Sequence, residues 1–199
     1  RGVGPIPDPE ECTATVGGHT VTLSGEQAEN AALISAISVR RGLPARAASI
    51  ALATAYQESK IYNIEHGDRD SIGLFQQRPS QGWGSRAEIL DPTYSINAFY
   101  DALEKVPDYE RMRITEAAQA VQRSAYPEAY ADHERDGRVL ASALTGETTG
   151  GAFSCVVRAG SSADPTELDE EGLTRRAAAG CASPARAAVA TATTPRVPA

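Results

Sequence analysis

The sequence predicts a mainly α-helical fold, with a small β-hairpin near its start and one long irregular loop at its centre. Three observations point there. Alanine-rich stretches with helical spacing of apolar residues recur between residues 24 and 144. Alternation of apolar and polar residues is confined to a short stretch around Gly17-Gly18. Residues 61–90 show no sustained period and carry several glycines, Pro79 and Trp83, the chain's single tryptophan. A loop of that length inside a compact domain is usually functional.

Taken in order, residues 1–11 with Pro5, Pro7 and Pro9 read as an extended leader. Thr13–Val16, Gly17-Gly18 and His19–Leu23 form the hairpin signal. Ser24 followed by Gln27 is a capping box that opens a helix through about Arg41, with Gly42 as its stop. Pro44 suits the first turn of a buried, tightly packed helix to about Lys60. Asp91-Pro92 opens a helix through about Val106, with Ile96, Phe99, Tyr100 and Leu103 on one face, and Pro107 ends it. Thr115 caps a short helix to about Arg123, and Pro127 stands near the start of a last one to about Leu144. The resulting division is a leader and hairpin over 1–23, a helical domain over 24–157, and a linker or disordered tail over 158–199. One weak helix is expected in that tail near 172–181.

Composition narrows the function classes. With 199 residues the chain holds one good core plus appendages. Its net charge of −7 and lack of a basic block argue against nucleic acid, whose binding needs a cationic surface. No apolar run approaches membrane-spanning length. The chain opens at Arg1 without a signal-like segment, so any targeting peptide or anchor is expected to lie outside it. Cys12 lies just before the hairpin and Cys155 just after the last helix. Oxidised to each other they would tie the domain's ends together, worth on the order of 5 kcal/mol in the chain-entropy account, and would suit an exported protein. Two buried free thiols is the alternative. Cys181 has no evident partner.

Chemistry concentrates in Glu58-Ser59 at the end of the second helix and, fifteen residues after Glu58, the run Gly73-Leu74-Phe75-Gln76. A carboxylic acid delivers a proton near neutral pH only if burial keeps it protonated. Glu58 closes a helix that reads as buried, and a helix C-terminus also disfavours the carboxylate. The Glu-Ser step, the Gly-Leu-(Met/Phe)-Gln turn, Pro79 after it, and Asp91-Pro92 leading through Asn97 to Tyr100 resemble the lysozyme-like superfamily, above all its soluble lytic transglycosylases. Gly67-Asp68-Arg69 resembles a feature of goose-type lysozymes. The likeness covers about residues 25–145, and the chain also resembles the first half of exported proteins of high-GC Gram-positive bacteria.

The resemblance implies a secreted or cell-envelope enzyme, expected to be a monomer, that cuts peptidoglycan glycan strands without a cofactor or metal. Glu58 would be the general acid. Asp68 would be the second carboxylate if the enzyme is a hydrolase, or would merely join Asp70 in loop hydrogen bonds and pairs with Arg69 or Arg78. Ser59 would orient the acid or substrate, and Gln76 and Gln77 would meet the sugar amides. Tyr62, Phe75 and Trp83 are candidates for packing on sugar rings, with core packing the simpler role for Phe75 and loop stapling for Trp83. The family's Ala-Tyr-Asn-Ala-Gly segment is replaced by Ala120-Val121-Gln122-Arg123-Ser124, so its tyrosine is missing there; Tyr126 or Tyr130 are the residues that could stand in. A lytic transglycosylase is preferred because it needs one carboxylate only. The rival is a catalytically silent wall-binding or scaffolding module on the same fold. A calcium loop at Asp68–Asp70 is disfavoured because its twelfth position is Pro79. His19, His66 and His133 lack metal-ligand spacing, and Ser59 lacks a nucleophile elbow.

Overall fold

The computed structural model describes residues 10–124, 126, 128–146 and 150–156. Residues 1–9 of the leader, the tail with its weak helix and Cys181, and the position of Pro127 lie outside the described residues, while Glu11, expected in the leader, opens the first strand. Six helices and a small three-stranded antiparallel sheet make up the described part, so the chain is mainly helical. No described helix is long and apolar enough to cross a membrane.

Strands β1 (Glu11–Val16) and β2 (His19–Ser24) pair from Val16↔His19 to Glu11↔Ser24. Gly17 and Gly18 both take positive φ (55° and 76°), the backbone a two-residue hairpin turn with the right twist requires. A third strand, β3 (Ala152–Val156), adds to the other edge of β1, giving the order β2-β1-β3. This strand is not among the elements the sequence predicts. It sets Cys12 opposite Cys155, and the two are joined in a disulfide with Cα atoms 4.0 Å apart.

Helix α1 (Gly25–Arg40) starts on the reciprocal Ser24–Gln27 capping box and stops before Gly42, whose φ is 68°. Helix α2 (Ala45–Ser59) follows, with Pro44 at its N-cap rather than inside its first turn. Every residue from Ala47 to Ala55 is buried, which identifies α2 as the central helix. Its alanines allow neighbours to approach closely. At Gly137, on helix α6 (Glu134–Thr145), an added Cβ would lie only 2.6 Å from the Ser49 carbonyl oxygen.

Within the expected loop a short helix α3 (Arg86–Leu90) forms on a second capping box, Ser85 with Glu88. Helix α4 (Pro92–Leu103) is started by Asp91, whose carboxylate accepts from the Thr93 amide, and buries Ile96, Phe99, Tyr100 and Leu103 as its pattern predicts. It ends at Leu103, three residues before the expected Val106. Helix α5 (Ile114–Gln122) begins one residue ahead of Thr115, which is therefore inside it rather than its cap. A 3-10 segment, Ala129–His133, leads into α6, so the last α-helix starts later than the position of Pro127 suggests.

Candidate active site

The site is assembled at the C-terminal end of α2. Glu58 is its penultimate residue, and the chain leaves the helix through two consecutive left-handed residues, Lys60 (φ 56°) and Ile61 (φ 63°). Positive φ is unfavourable for a β-branched residue, and such strain persists only where surrounding structure holds it. Here α1 holds it. The Gln27 amide donates to the Lys60 carbonyl (2.7 Å) and the Asn30 amide to the Ile61 carbonyl (2.9 Å), while the Ile61 side chain is fully buried. Tyr62 follows directly, and its hydroxyl shares a 3.0 Å hydrogen bond with Ser24 at the start of α1.

The fifteen-residue spacing between the two motifs has a direct physical meaning. The buried Ser59 hydroxyl lies 2.8 Å from the Leu74 carbonyl oxygen and 3.1 Å from that of Ala55, sharing its one proton between them. Ser59 thus ties the Gly73–Gln76 turn to the end of the helix that carries Glu58. Gly73 takes φ 77°, and a Cβ there would stand 2.9 Å from the Ile89 carbonyl oxygen, so the turn needs glycine on two grounds. From the other side the Gln122 amide of α5 donates to the Phe75 carbonyl at 2.7 Å.

The turn divides its own side chains between inside and outside. Phe75 is fully buried and stacks on Phe99 with centroids 4.4 Å apart. Gln77 is 1% exposed and donates to the Ser95 carbonyl. Gln76 is half-buried, in a left-handed conformation (φ 47°), and faces the cleft. Its amide donates to the Gly73 and His66 carbonyls, and Gly67 leaves it the room.

That cleft, of about 470 Å³, is bordered by Glu58, Asp68, Gln76, Trp83 and Tyr126, with Gln122 and Arg123 on its α5 side. Glu58 is half-buried within it. Burial pushes its pKa above the ordinary value; the hydroxyl of Tyr130 and the amide of Gln122 pull the other way without cancelling that rise. The Tyr130 hydroxyl donates to Glu58 Oε1 at 2.6 Å. Among the described residues Glu58 makes no ion pair. Tyr130 is 1% exposed, and its own pKa is raised by burial first and by the Glu58 charge second, so it remains a neutral donor.

Several sequence-based assignments are corrected by this geometry. Ser59 and Gln77 are held inward by buried contacts and do not border the cleft, whereas Phe75 takes the core role expected as its simpler one. Tyr62 is engaged with the N-cap of α1 and is not part of the cleft wall. Of the two candidate tyrosines, Tyr126 borders the cleft but is 76% exposed, and Tyr130 is the one bonded to the acid. Asp70 accepts from Arg78 Nε (2.6 Å) and from the Ser80 amide (2.8 Å), which hold it well below the usual carboxylate range. It is a loop-building residue. Asp68 borders the cleft, with its side chain 93% exposed and Arg69 its ion-pair partner at 4.0 Å. Trp83 is half-buried; it packs against the core and also borders the cleft.

Gln122 is the residue that site assignment from sequence leaves out, and Tyr130 is there only one of two possible stand-ins. Neither is marked by a local pattern; each is brought to Glu58 by tertiary packing. No protein-family model matches the chain, and no curated protein matches it either.

Proposed function

We propose that the chain is a lysozyme-like domain that cleaves the β-1,4 bond between N-acetylmuramic acid and N-acetylglucosamine in peptidoglycan, as a lytic transglycosylase. The observation that carries this reading is Glu58: a half-buried carboxyl group bordering an open cleft, bonded to a tyrosine hydroxyl and, among the described residues, to no cation. Its raised pKa supports a general acid that is still protonated near neutral pH. Because Tyr130 donates to Oε1, the acid's own proton resides on Oε2.

In the proposed reaction Glu58 transfers that proton to the glycosidic oxygen as the bond to C1 breaks and positive charge develops on the muramic ring. The Glu58 carboxylate then takes the proton of the same sugar's 6-hydroxyl while that oxygen bonds to C1. The products are a 1,6-anhydro end and a free 4-hydroxyl, with no water consumed and the acid restored. Gln76 and Trp83 are the cleft residues suited to hold the sugar, one by its amide and one by its ring face. Transglycosylation is preferred over hydrolysis because Glu58 is the cleft's one partly enclosed carboxyl group among the described residues; Asp68 is solvated.

A silent wall-binding module would be better served by an acid neutralised by arginine in a filled groove. Among the described residues Glu58 has no such partner, and its cleft is open, which supports turnover. The test is digestion of purified peptidoglycan by the wild type and by Glu58→Gln. General acid catalysis contributes about 10²–10⁴-fold, so release of soluble fragments should fall by at least about 10²-fold. Equal release by both proteins would remove Glu58 from the chemistry. No release by either, with the protein retained on insoluble wall, would favour the binding module.

A further inference from the structure

Past Trp83 the Glu58 cleft adjoins a second hollow of about 590 Å³ between the ends of α4 and α5. Gln81, Trp83, Gln122 and Arg123 border both, so one ligand can occupy the two together. Ala102, Val106 and Val121 supply apolar surface to the second hollow, and its charged residues are Lys105 and Arg123. No carboxylate among the described residues borders it. Among the described residues neither cation has an acidic oxygen within 4.0 Å.

This wall runs against the charge of the chain, which is −7 overall. A third hollow nearby shows the contrast: Arg111 there is accompanied by Glu104, Asp108 and Glu110. Two cations that make no ion pair among the described residues, beside an apolar surface, suit a ligand with a free carboxylate on a short aliphatic stem. The sugars of a peptidoglycan strand carry no charge once N-acetylated. Its carboxylates sit on the peptide attached through the lactyl ether of the muramic ring.

Resting on the glycan reading above, we propose that Lys105 and Arg123 bind the carboxylate of a muropeptide's peptide stem, with its methyl-bearing part against Val106 and Val121. A sugar at Glu58 would then send its stem past Trp83 into the second hollow. Naked glycan would fill only the first.

The test uses soluble probes and the fluorescence of Trp83, the single tryptophan, which stands between the two hollows. The probes are N-acetylglucosaminyl-N-acetylmuramyl dipeptide as the free acid, the same compound with its carboxylates amidated, and chitotetraose. The two disaccharide probes lack the bond proposed to be cut. Wild-type protein should bind the free acid about fivefold more tightly than the amide at low salt, the scale of two solvent-exposed ion pairs, with the preference shrinking as salt rises. The double variant Lys105→Ala with Arg123→Asn should lose the preference. Asparagine tolerates the left-handed backbone at position 123 (φ 52°), and a thermal melt checks that the variant folds. Equal affinity for acid and amide in the wild type, or a preference that survives in the folded double variant, overturns the proposal. Should chitotetraose bind while acid and amide are equal, the stem site alone falls. Should no saccharide bind, the glycan reading falls with it.

Discussion

Removing one hydroxyl, by Tyr130→Phe, separates the energetics of Glu58 from the packing around it. The ring is 1% exposed and stays in place; only the O–H that donates to Oε1 at 2.6 Å is lost. A hydrogen bond to an ionised group contributes about 1.5–3 kcal/mol, against roughly 0.5–1.5 kcal/mol between neutral groups. Because burial raises the Glu58 pKa above its ordinary 4.5, the acid is neutral at pH 4 and ionised once pH passes the raised value. Tyr130 is held neutral over the whole range, so its role does not change with pH. The cost of the substitution should therefore grow by about 1–1.5 kcal/mol between pH 4 and pH 8. At about 4 °C per kcal/mol for a domain of this size, that is a widening of roughly 4–6 °C in the gap between melting temperatures. Thermal melts of both proteins at pH 4, 6 and 8 measure it. The alkaline limb of the pH–rate profile should shift to higher pH as well, since the carboxylate has lost a donor. A cost that is constant across pH, or that shrinks as pH rises, would refute the assignment of Glu58 as a buried acid tuned by Tyr130.

Glu58→Gln should stabilise the fold while abolishing turnover. A carboxyl group whose folded pKa is raised contributes stability that is fully present below 4.5 and lost as pH rises through the folded value, so the variant should gain about 0.5–2 kcal/mol at pH 8 and little at pH 4; a less stable variant at pH 8 would contradict this. Replacing Cys12 and Cys155 together by alanine opens a loop spanned by a sequence separation of 143 residues, which in the chain-entropy account lowers stability by about 5 kcal/mol; urea midpoints unchanged from the oxidised wild type would show that the bond contributes nothing. Gly137→Ala would press a methyl group against α2, 2.6 Å from the Ser49 carbonyl and 3.0 Å from the Ala53 Cβ. Overpacking of this kind costs about 1–3 kcal/mol, and α2 carries Glu58, so both melting temperature and turnover should fall. An unchanged melt would mean that the helices separate freely.

What could be read from the sequence was whatever local chemistry determines. The Ser24–Gln27 box, Gly42, and Asp91-Pro92 are short-range signals, and the helices they bound form where those signals place them. The Glu58-Ser59 and Gly73–Gln76 motifs could be recognised as a pair because one bond, from Ser59 to the Leu74 carbonyl, fixes their spacing. Ser85-x-x-Glu88 carried the same kind of signal for α3 and was hidden by the glycines and proline around it. The rest depended on contacts between distant residues. Strand β3 is five residues long and largely exposed, and its partner β1 lies at the other end of the domain. Gln76 and Gln77 are chemically identical, and only the turn sends one to the cleft and the other to the core. Tyr130 meets Glu58 across 72 residues of chain, with no pattern to prefer it over Tyr126.

Under the proposed reaction Glu58 cleaves glycan strands without water. The decisive experiment is digestion of peptidoglycan by the wild-type chain in H₂¹⁸O, with products resolved by mass spectrometry. The expected products are 1,6-anhydromuropeptides that carry no heavy oxygen at C1, formed by the wild type and absent with Glu58→Gln. Reducing ends labelled with ¹⁸O would contradict that reaction and make Asp68 the second carboxylate of a hydrolase.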